Sequence, residues 1–448
     1  MKNTSVMFLI LLATSVATNW AATQFKSDKH NMEKDSIRLE MQRVLINEFR
    51  LWYPLSIDPL YGGFFSDINY NWEVTGQQTK MIVTQARHVW STANASMYYK
   101  DDTTLLPISR NGIEFLREKM WDKDFGGFYD LVTRRGDPIR ENGKIVKRAY
   151  GNAFAVYGLA ANFKASGDTA ALSLAQETFR WLEKHCYDPQ NGGYFQFTSR
   201  EGVPFVDGCD GAPPKDQNST IHLLEAFTEL YSVWPDPVVK ERLQSLLLLV
   251  RDRITTDKGY MVLFFKRDWT PISYRTSSAD VRERNYEFDH VSFGHDIETA
   301  YLMLEASKVL GIKDNTRTLA VGKKMVDHSI TFGWDKERGG IYDGGYYLPG
   351  EEKPTIVRNT KEWWSQVEAL NSLLLMSELY PNDEHRYFEK FRAQWEYCKK
   401  YVIDTEHGGW YWGGIDIVPN NKFMPKSTIW KCNYHTSRAL INCITMLN

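Results

Sequence analysis

A glycine-containing turn recurs along the chain at a nearly constant spacing, and this repeat restricts the fold more than any other sequence feature. Each copy has an aspartate, Gly-Gly and then an aromatic or aliphatic residue, as in "DKDFGGF" and "DPQNGGY", and a reduced copy reads "DKGY". The intervals are 64, 66, 66, 81 and 69 residues between the second glycines, which are Gly63, Gly127, Gly193, Gly259, Gly340 and Gly409. This period indicates six structural repeats.

The segments between the turns have a helical pattern. "SLAQETFRWLEKHCY" and "VVKERLQSLLLLVRDRI" place apolar residues three and four apart, as in a helix with one buried face. "YGNAFAVYGLAANF" and "STIHLLEAFTELYSVW" are apolar on all sides, as in a helix buried within a bundle. Each repeat therefore predicts one outer and one inner helix, and six such hairpins predict an all-α (α/α)6 barrel. A two-domain all-α protein or an open solenoid is the alternative.

Chemically reactive or aromatic residues occur at comparable points of the six repeats. They lie 23 to 36 residues after the second glycine, near the expected start of each inner helix. In a closed ring of hairpins these positions converge on one end of the central cavity. The residues are Arg87, Tyr150, His222, His295, Trp364 and His435.

Two His-x-x-Glu pairs, His222 with Glu225 and His295 with Glu298, lie in these inner segments. Residues three apart share a helix face, so each glutamate can accept the imidazole N–H and fix its tautomer. A metal site is the first alternative, although HExxH and other zinc signatures are absent from the sequence. Glycoside hydrolysis by two carboxylates is the second. The carboxylates available for it are Asp296, Glu298, Glu225 and Glu368.

The first residues have the pattern of a secretory signal peptide. Lys2 precedes the apolar run "VMFLILLATSVA", small residues follow it, and cleavage after Ala17 or slightly later fits the pattern. We therefore expect a signal peptide within residues 1–22, a periplasmic or secreted protein, and no membrane insertion after its removal. No linker or composition break divides the rest, so residues 30–448 are predicted to form a single catalytic domain.

Net charge and aromatic content indicate which classes of molecule the protein binds, and the cysteine count bears on disulfides and metal sites. The net charge of −2 gives no electrostatic reason to expect a nucleic acid partner. The 15 tryptophans and 24 tyrosines suit carbohydrate, because sugar C–H faces stack on aromatic rings. The five cysteines have no zinc-like spacing and are expected to be isolated thiols, with one disulfide as the alternative. We expect a monomer or weak dimer.

Six segments, in order, resemble the motifs of the N-acylglucosamine 2-epimerase superfamily, and especially its cellobiose 2-epimerase branch. The resemblance covers nearly the whole chain after the signal peptide and implies an (α/α)6 barrel. The least typical segments, "YYLPGEEKPTIVRNT" and "VPNNKFMPKST", are expected to be rim loops near the substrate. The matching segments are "QARHVW", "YGNAFAVYGLA", "KDQNSTIHLLEAFTELY", "GHDIETAYLML", "KEWWSQVEAL" and "WKCNYHTSRA".

The resemblance implies epimerisation at C2 of the reducing-end aldose of a β-1,4-linked disaccharide or small oligosaccharide, with no cofactor and no metal. After ring opening, His295 and His435 would exchange the C2 proton through an enediolate, and Glu298 would orient His295. Arg87 and His222 would stabilise the enediolate oxygen. Substrate binding would involve Tyr150, Asn218, Trp363, Trp364 and Trp430.

Two other function classes share parts of this chemistry. An aldose–ketose isomerase of the mannose isomerase type would form the same enediolate but return the proton to C1. A non-catalytic sugar-binding protein would bind glycan without exchanging the C2 proton. The sequence leaves the choice among cellobiose, mannobiose, lactose and free mannose open.

Overall fold

The computed structural model describes residues 31–448, so the predicted signal peptide lies outside the described residues. The helices, in chain order, are α1 (31–52), α2 (Ile82–Tyr98), α3 (Leu105–Phe115), α4 (Ala149–Ser166), α5 (Thr169–His185), α6 (Gln217–Val233), α7 (Pro237–Leu249), α8 (Ala279–Arg284), α9 (Tyr286–Asp289), α10 (Phe293–Val309), α11 (Thr316–Phe332), α12 (Trp363–Leu379), α13 (Tyr387–Tyr401) and α14 (Tyr434–Met446). None of these described helices is both long and apolar enough to cross a membrane.

Six of the helices form a closed inner ring. Neighbours contact one another in the order α2, α4, α6, α10, α12 and α14, and α14 packs against α2 to close the ring. The outer helices α3, α5, α7, α11 and α13 each pack against the inner helix that precedes them in the chain. Helix α1 completes the outer layer: Trp52 packs against His88 of α2, and Glu48 accepts from Thr436 of α14. The chain therefore forms the predicted (α/α)6 barrel, and the solenoid and two-domain alternatives are wrong.

Short strands lie at the ends where the inner helices begin. β1 pairs with β2, β3 with β4, and β5 with β6, and β7, β8 and β9 form one small sheet, all antiparallel. Strands of two to four residues are too short to produce a recognisable alternation, so the sequence did not predict them. Their bounds are β1 (Lys80–Met81), β2 (Leu131–Val132), β3 (Val146–Arg148), β4 (Phe197–Ser199), β5 (Lys215–Asp216), β6 (Phe264–Phe265), β7 (Val291–Ser292), β8 (Gly344–Tyr346) and β9 (Thr355–Arg358).

The Gly-Gly turns require glycine at both positions. Gly126 and Gly127 have φ angles of +66° and +71°, in the left-handed region that disfavours other residues. A Cβ at Gly127 would lie 2.5 Å from the indole ring of Trp181 on α5. The glycine pair therefore gives both the turn and its close packing against the next outer helix.

The aspartate is held by a lysine in five of the six turns, a pairing that the sequence analysis did not predict. In the second repeat, Lys147 lies two residues before α4, and its Nζ donates to Asp122 at 2.9 Å and to the Gly126 carbonyl at 2.5 Å. Both side chains are fully buried. This ion pair ties the turn to the start of the inner helix α4. It recurs at 2.5 to 3.0 Å as Lys80–Asp58, Lys215–Asp188, Lys361–Asp335 and Lys426–Asp404.

The fourth repeat departs from this pattern. The buried Val291 occupies the lysine position, and the reduced turn contains Gly259 with a φ angle of +93°. The longer interval of this repeat holds α8 and α9, which precede β7. The first atypical segment contributes β9, which pairs with β8 beside the start of α10, and the second contains a 3₁₀ helix at Pro419–Phe423. All five cysteines lie in residues 31–448 and are buried free thiols, as expected.

The buried ion pair of Lys147 with Asp122 predicts a specific loss of stability when the lysine is replaced. In the Lys147→Met variant the carboxylate of Asp122 would stay buried without its amine, leaving Arg200 as its cationic partner. We expect the free energy of unfolding to fall by about 3 kcal/mol in urea titrations. Lys144→Met removes an exposed amine paired with Asp210 and is the matched control, for which we expect no measurable change. Equal effects of the two substitutions on the free energy of unfolding would contradict a stabilising role for the buried Lys147–Asp122 pair.

Candidate active site

The first two turns of the inner helices bring the reactive residues together at one end of the barrel. The ring of Tyr150 on α4 lies 5.3 Å from that of His222 on α6. Trp364 on α12 lies 4.6 Å from His295 on α10 and 5.8 Å from His435 on α14. The repeats therefore bring these residues together at one end of the barrel.

Each of the three histidines is held through Nδ1. His222 Nδ1 lies 2.8 Å from Glu225 Oε2, His295 Nδ1 lies 2.7 Å from the hydroxyl of Ser292, and His435 Nδ1 lies 2.8 Å from Glu368 Oε1. Within residues 31–448, none of the three Nε2 atoms has a hydrogen-bond partner, and none is sealed from solvent. The Nε2 atoms are therefore available to a molecule bound at this end of the barrel.

Glu298 does not orient His295, so this part of the sequence interpretation is wrong. The His295 ring bonds instead to Ser292, which immediately precedes α10. Oε1 of Glu298 contacts the guanidinium of Arg438 on α14 and lies 3.8 Å from His435 Nδ1. Spacing along a helix cannot show that a cation from another helix competes for the carboxylate. The His222–Glu225 pair does form the expected hydrogen bond.

Arg438 is the centre of a buried ion cluster below the histidines. Its Nη1 contacts Glu225 and its Nη2 contacts Glu298 and Glu368, the last at 2.6 Å. Burial alone would raise the pKa of Glu225, but the charge of Arg438 and the bond with His222 bring it to about 2. For Glu368, burial outweighs the charge of Arg438 and raises the pKa. The cluster fixes the two glutamates that hold His222 and His435.

Burial keeps two of the histidines unprotonated. It lowers the pKa of His295 to about 3, and the positive charges of neighbouring histidines and Arg87 act in the same direction. Burial also lowers the pKa of His435 well below its usual value. Both imidazoles are therefore neutral near pH 7, the state in which Nε2 can accept a proton.

Arg87 is a cation without a carboxylate partner in the described part of the chain. Its guanidinium donates to the Trp430 carbonyl at 3.2 Å and to the Tyr150 hydroxyl at 3.1 Å. It also lies over the rings of Phe154 and Tyr434, at 4.3 and 4.9 Å. Because no carboxylate neutralises its charge, Arg87 can stabilise a negative oxygen of a molecule bound beside it.

The two adjacent tryptophans have different roles, and the expectation that Trp363 binds substrate is wrong. Its ring is buried, 5.1 Å from Trp412 and 4.9 Å from the Lys431 amine. Consecutive helical residues point about 100° apart, so only Trp364 reaches the histidines. Trp430 is half exposed, with its ring 6.5 Å from Tyr150.

Asn218 and the start of α14 complete the site. Asn218 lies beside Tyr150, and its buried Oδ1 has no hydrogen-bond partner within residues 31–448. Beside His435, Thr436 donates to Glu48 of α1 at 2.9 Å. Burial raises the pKa of Glu48 to about 7. Helix α1 therefore helps to fix the position of His435.

Three residues of this cluster are close enough together to suggest a metal site. Ligand atoms of Glu298, Glu368 and His435 lie within 4.8 Å of one another. The guanidinium of Arg438 already contacts both carboxylates, so a positive charge lies next to the space that a cation would need. These residues therefore fit a structural ion cluster better than a metal centre.

Sequence reasoning missed the functions of Ser292 and Arg438. A charged residue three positions after His435 in an otherwise apolar helix was the available signal. Its three carboxylate partners come from α6, α10 and α12, and no local pattern identifies them.

Comparison with known proteins agrees with this geometry. A family profile described as N-acylglucosamine 2-epimerase matches residues 63–439. The cellobiose 2-epimerase of Bacteroides fragilis is 27% identical, covering 92% of this chain and 98% of its own. The D-mannose isomerase of Pseudomonas cannabina pv. alisalensis is 25% identical over 74% of this chain and 75% of its own.

A solved structure has the same architecture. The cellobiose 2-epimerase of Spirochaeta thermophila superposes with a TM-score of 0.78 at 29% identity, covering 93% of this chain and 97% of that chain. The family match extends over most of the barrel, including five of the six inner helices and the start of α14, where His435 and Arg438 lie. The chain therefore belongs to the N-acylglucosamine 2-epimerase family.

Proposed function

We propose that the protein is a carbohydrate 2-epimerase that inverts C2 of the reducing-end aldose of β-1,4-linked disaccharides of the cellobiose and mannobiose type. The observation that carries the proposal is a pair of accessible, unpaired Nε2 atoms on His295 and His435. Both rings lie against Trp364, on the two inner helices that flank α12. The relatives named cellobiose 2-epimerase support the substrate class.

The reaction needs an open-chain sugar, because the C1 aldehyde makes the C2 proton acidic. One neutral imidazole removes this proton through Nε2, and the electron pair of the C–H bond enters an enediolate. Arg87 stabilises its negative oxygen, together with His222, whose Nδ1 is held by Glu225. The negative enediolate also favours the imidazolium ion that has just formed.

Inversion requires a proton from the other face of C2. The second histidine takes up a proton from solvent at Nε2, which the negative enediolate favours, and delivers it to C2, while the first imidazolium returns its proton to solvent. His295 and His435 exchange these roles when the reaction runs in the opposite direction. Ser292 and Glu368 keep the two rings oriented through Nδ1. Trp364 supplies an aromatic surface on which the reducing-end sugar packs between the two bases.

The carboxylates are poorly placed for glycoside hydrolysis. Glu298 and Glu368 each direct Oε1 to Arg438, and their Oε2 atoms are buried away from solvent. Glu225 uses both oxygens, for His222 and for Arg438 with Tyr434. A hydrolase needs one carboxylic acid and one carboxylate in contact with the glycosidic bond. The unpaired histidine nitrogens therefore fit proton transfer at carbon better.

Aldose–ketose isomerisation is the second candidate. It forms the same enediolate, and a relative named D-mannose isomerase shares most of the chain. The two activities differ in the carbon that receives the proton. A ketose as the main product would establish the isomerase.

The first prediction from the proposed mechanism concerns proton exchange at C2. Incubation with cellobiose or β-1,4-mannobiose in D2O, followed by NMR, should show deuterium at C2 and the C2 epimer. His295→Ala and His435→Ala should each reduce epimerisation by roughly 100-fold or more, because each removes one acid–base group. Each variant should still exchange the C2 proton of one epimer without inversion. His385→Ala, which changes a surface histidine, is the control and should behave as wild type.

Two results would contradict the two-base mechanism. One is near-normal epimerisation by either active-site variant. The other is release of monosaccharide without deuterium at C2, which would indicate hydrolysis.

The two adjacent tryptophans give a matched pair for the second prediction. Trp364→Ala should lower kcat/KM about tenfold through loss of sugar packing. Trp363→Phe should lower the Tm while leaving kcat/KM close to wild type, because Trp363 packs in the core. Steady-state kinetics and thermal unfolding distinguish these outcomes, and a larger kinetic effect at Trp363 would contradict the assignment.

The pH dependence provides the third prediction. Because burial lowers the pKa values of His295 and His435, both remain neutral and active until the pH falls through those low values. We expect the acid limb of kcat/KM to lie below the ordinary histidine pKa of about 6.5. A limb at about 6.5 or above would contradict this. Unfolded histidines bind protons below about pH 6.5, so circular dichroism at each pH should confirm that the fold persists.

A further inference from the structure

A carboxyl group lies at the edge of Trp364, the ring proposed to pack against the reducing-end sugar. Trp364 donates its indole N–H to Oε2 of Glu362 at 2.6 Å. The six-membered part of the same ring packs against the start of α10, where a Cβ at Gly294 would lie 2.8 Å from it. The indole is therefore held on two sides, and Glu362 has a fixed place beside its edge.

The backbone of Glu362 is fixed, but its side chain does not cap the helix that follows. The backbone N–H donates to Asp343 Oδ1 at 2.8 Å, and the residue forms a β-bridge with Gly413. Glu362 occupies the N-cap position of α12, yet its carboxylate makes no cap hydrogen bond. Ser, Thr, Asp and Asn are preferred there because their shorter side chains reach the first N–H groups. The start of the helix therefore does not explain the glutamate.

One oxygen of this carboxyl is free. Within residues 31–448, Oε1 of Glu362 has no hydrogen-bond partner, and it is not sealed from solvent. Burial raises the pKa of Glu362, and the negative charge of Glu287 acts in the same direction. The Trp364 N–H and the nearby Lys431 oppose this rise without cancelling it. A second hydrogen-bond donor would therefore stabilise the carboxylate.

A sugar that packs against Trp364 supplies such a donor. Its C–H face covers the aromatic ring, and its hydroxyl groups extend beyond the edge of that ring. In the reducing-end residue of a β-1,4-linked disaccharide, O4 carries the glycosidic bond and O5 closes the ring. The oxygens at C1 and C2 take part in the reaction between His295 and His435. The hydroxyls at C3 and C6 are therefore the ones left for Glu362.

We infer that Glu362 is a specificity-determining residue, whose free Oε1 accepts a hydrogen bond from the C3 or C6 hydroxyl of the sugar packed against Trp364. The inference rests on the proposed function, which places the reducing-end sugar there. One carboxyl group then holds the aromatic surface through Oε2 and the sugar edge through Oε1. A sugar without this hydroxyl leaves a half-buried carboxylate short of a donor, so its binding is weaker.

The test uses cellobiitol, the reduced form of cellobiose, which has no aldehyde and cannot react. Two analogues lack the hydroxyl at C3 or at C6 of the glucitol unit. In NMR titrations of the wild type, one analogue should bind about tenfold more weakly than cellobiitol, because a hydrogen bond to a charged acceptor is lost. In Glu362→Ala, cellobiitol should bind about tenfold more weakly than in the wild type, and the same analogue should now bind as well as cellobiitol does. Glu337→Ala, which removes an exposed carboxylate, is the control and should change none of these affinities.

Three results would overturn the inference. They are equal binding of cellobiitol and both analogues to the wild type, no saturable binding of cellobiitol at millimolar concentrations, and an unchanged preference in Glu362→Ala. In the last case a uniform loss of affinity would show that Glu362 acts only by holding Trp364. The comparison in the wild type needs no variant, and circular dichroism checks the fold of Glu362→Ala. A failure of the epimerase proposal appears separately, as the absence of deuterium at C2 of cellobiose in D2O.

Discussion

The organisation of the site depends on the ion pairs that the guanidinium of Arg438 makes with three buried carboxylates. The guanidinium joins carboxylates from three inner helices, α6, α10 and α12, to α14. Three buried carboxylates without this cation would repel one another, and their charges would be very costly to desolvate. Once paired, Glu225 and Glu368 can hold His222 and His435 through Nδ1. The orientation of the accessible Nε2 atoms of His222 and His435 is therefore a consequence of this ion cluster, whereas Ser292 holds His295.

Buried lysine–aspartate pairs fix where four of the six inner helices begin. In four repeats a buried lysine two residues before the helix bonds to the aspartate of the preceding Gly-Gly turn, as Lys147 does with Asp122. The catalytic side chains lie within the next two helical turns, so an error in the helix start would displace them. In the fourth repeat Val291 occupies the position of the lysine, so the ion pair is missing. A small sheet of three strands, β7, β8 and β9, lies at this junction. Helix α10, which carries His295, therefore begins at a differently built junction.

The repeat made much of this arrangement predictable from sequence. The spacing of glycines predicted six hairpins, and equivalent positions predicted that Arg87, His222, His295 and His435 would converge. Features that depend on rotation about a helix or on distant partners were not predictable. Trp363 and Trp364 are both compatible with a sugar platform until the helix phase is known. The partners of Glu298 depend on Arg438, which is 140 residues away in the chain.

The number of available bases separates the two candidate reactions. An aldose–ketose isomerase moves a proton between adjacent carbons, and a single base on one face of the enediolate is sufficient. Inversion at C2 requires a second group on the opposite face. In the ring order α10, α12, α14, the helices of His295 and His435 flank the one that carries Trp364. A sugar packed against Trp364 therefore lies between two neutral imidazoles. The second histidine is the feature that an isomerase would not need.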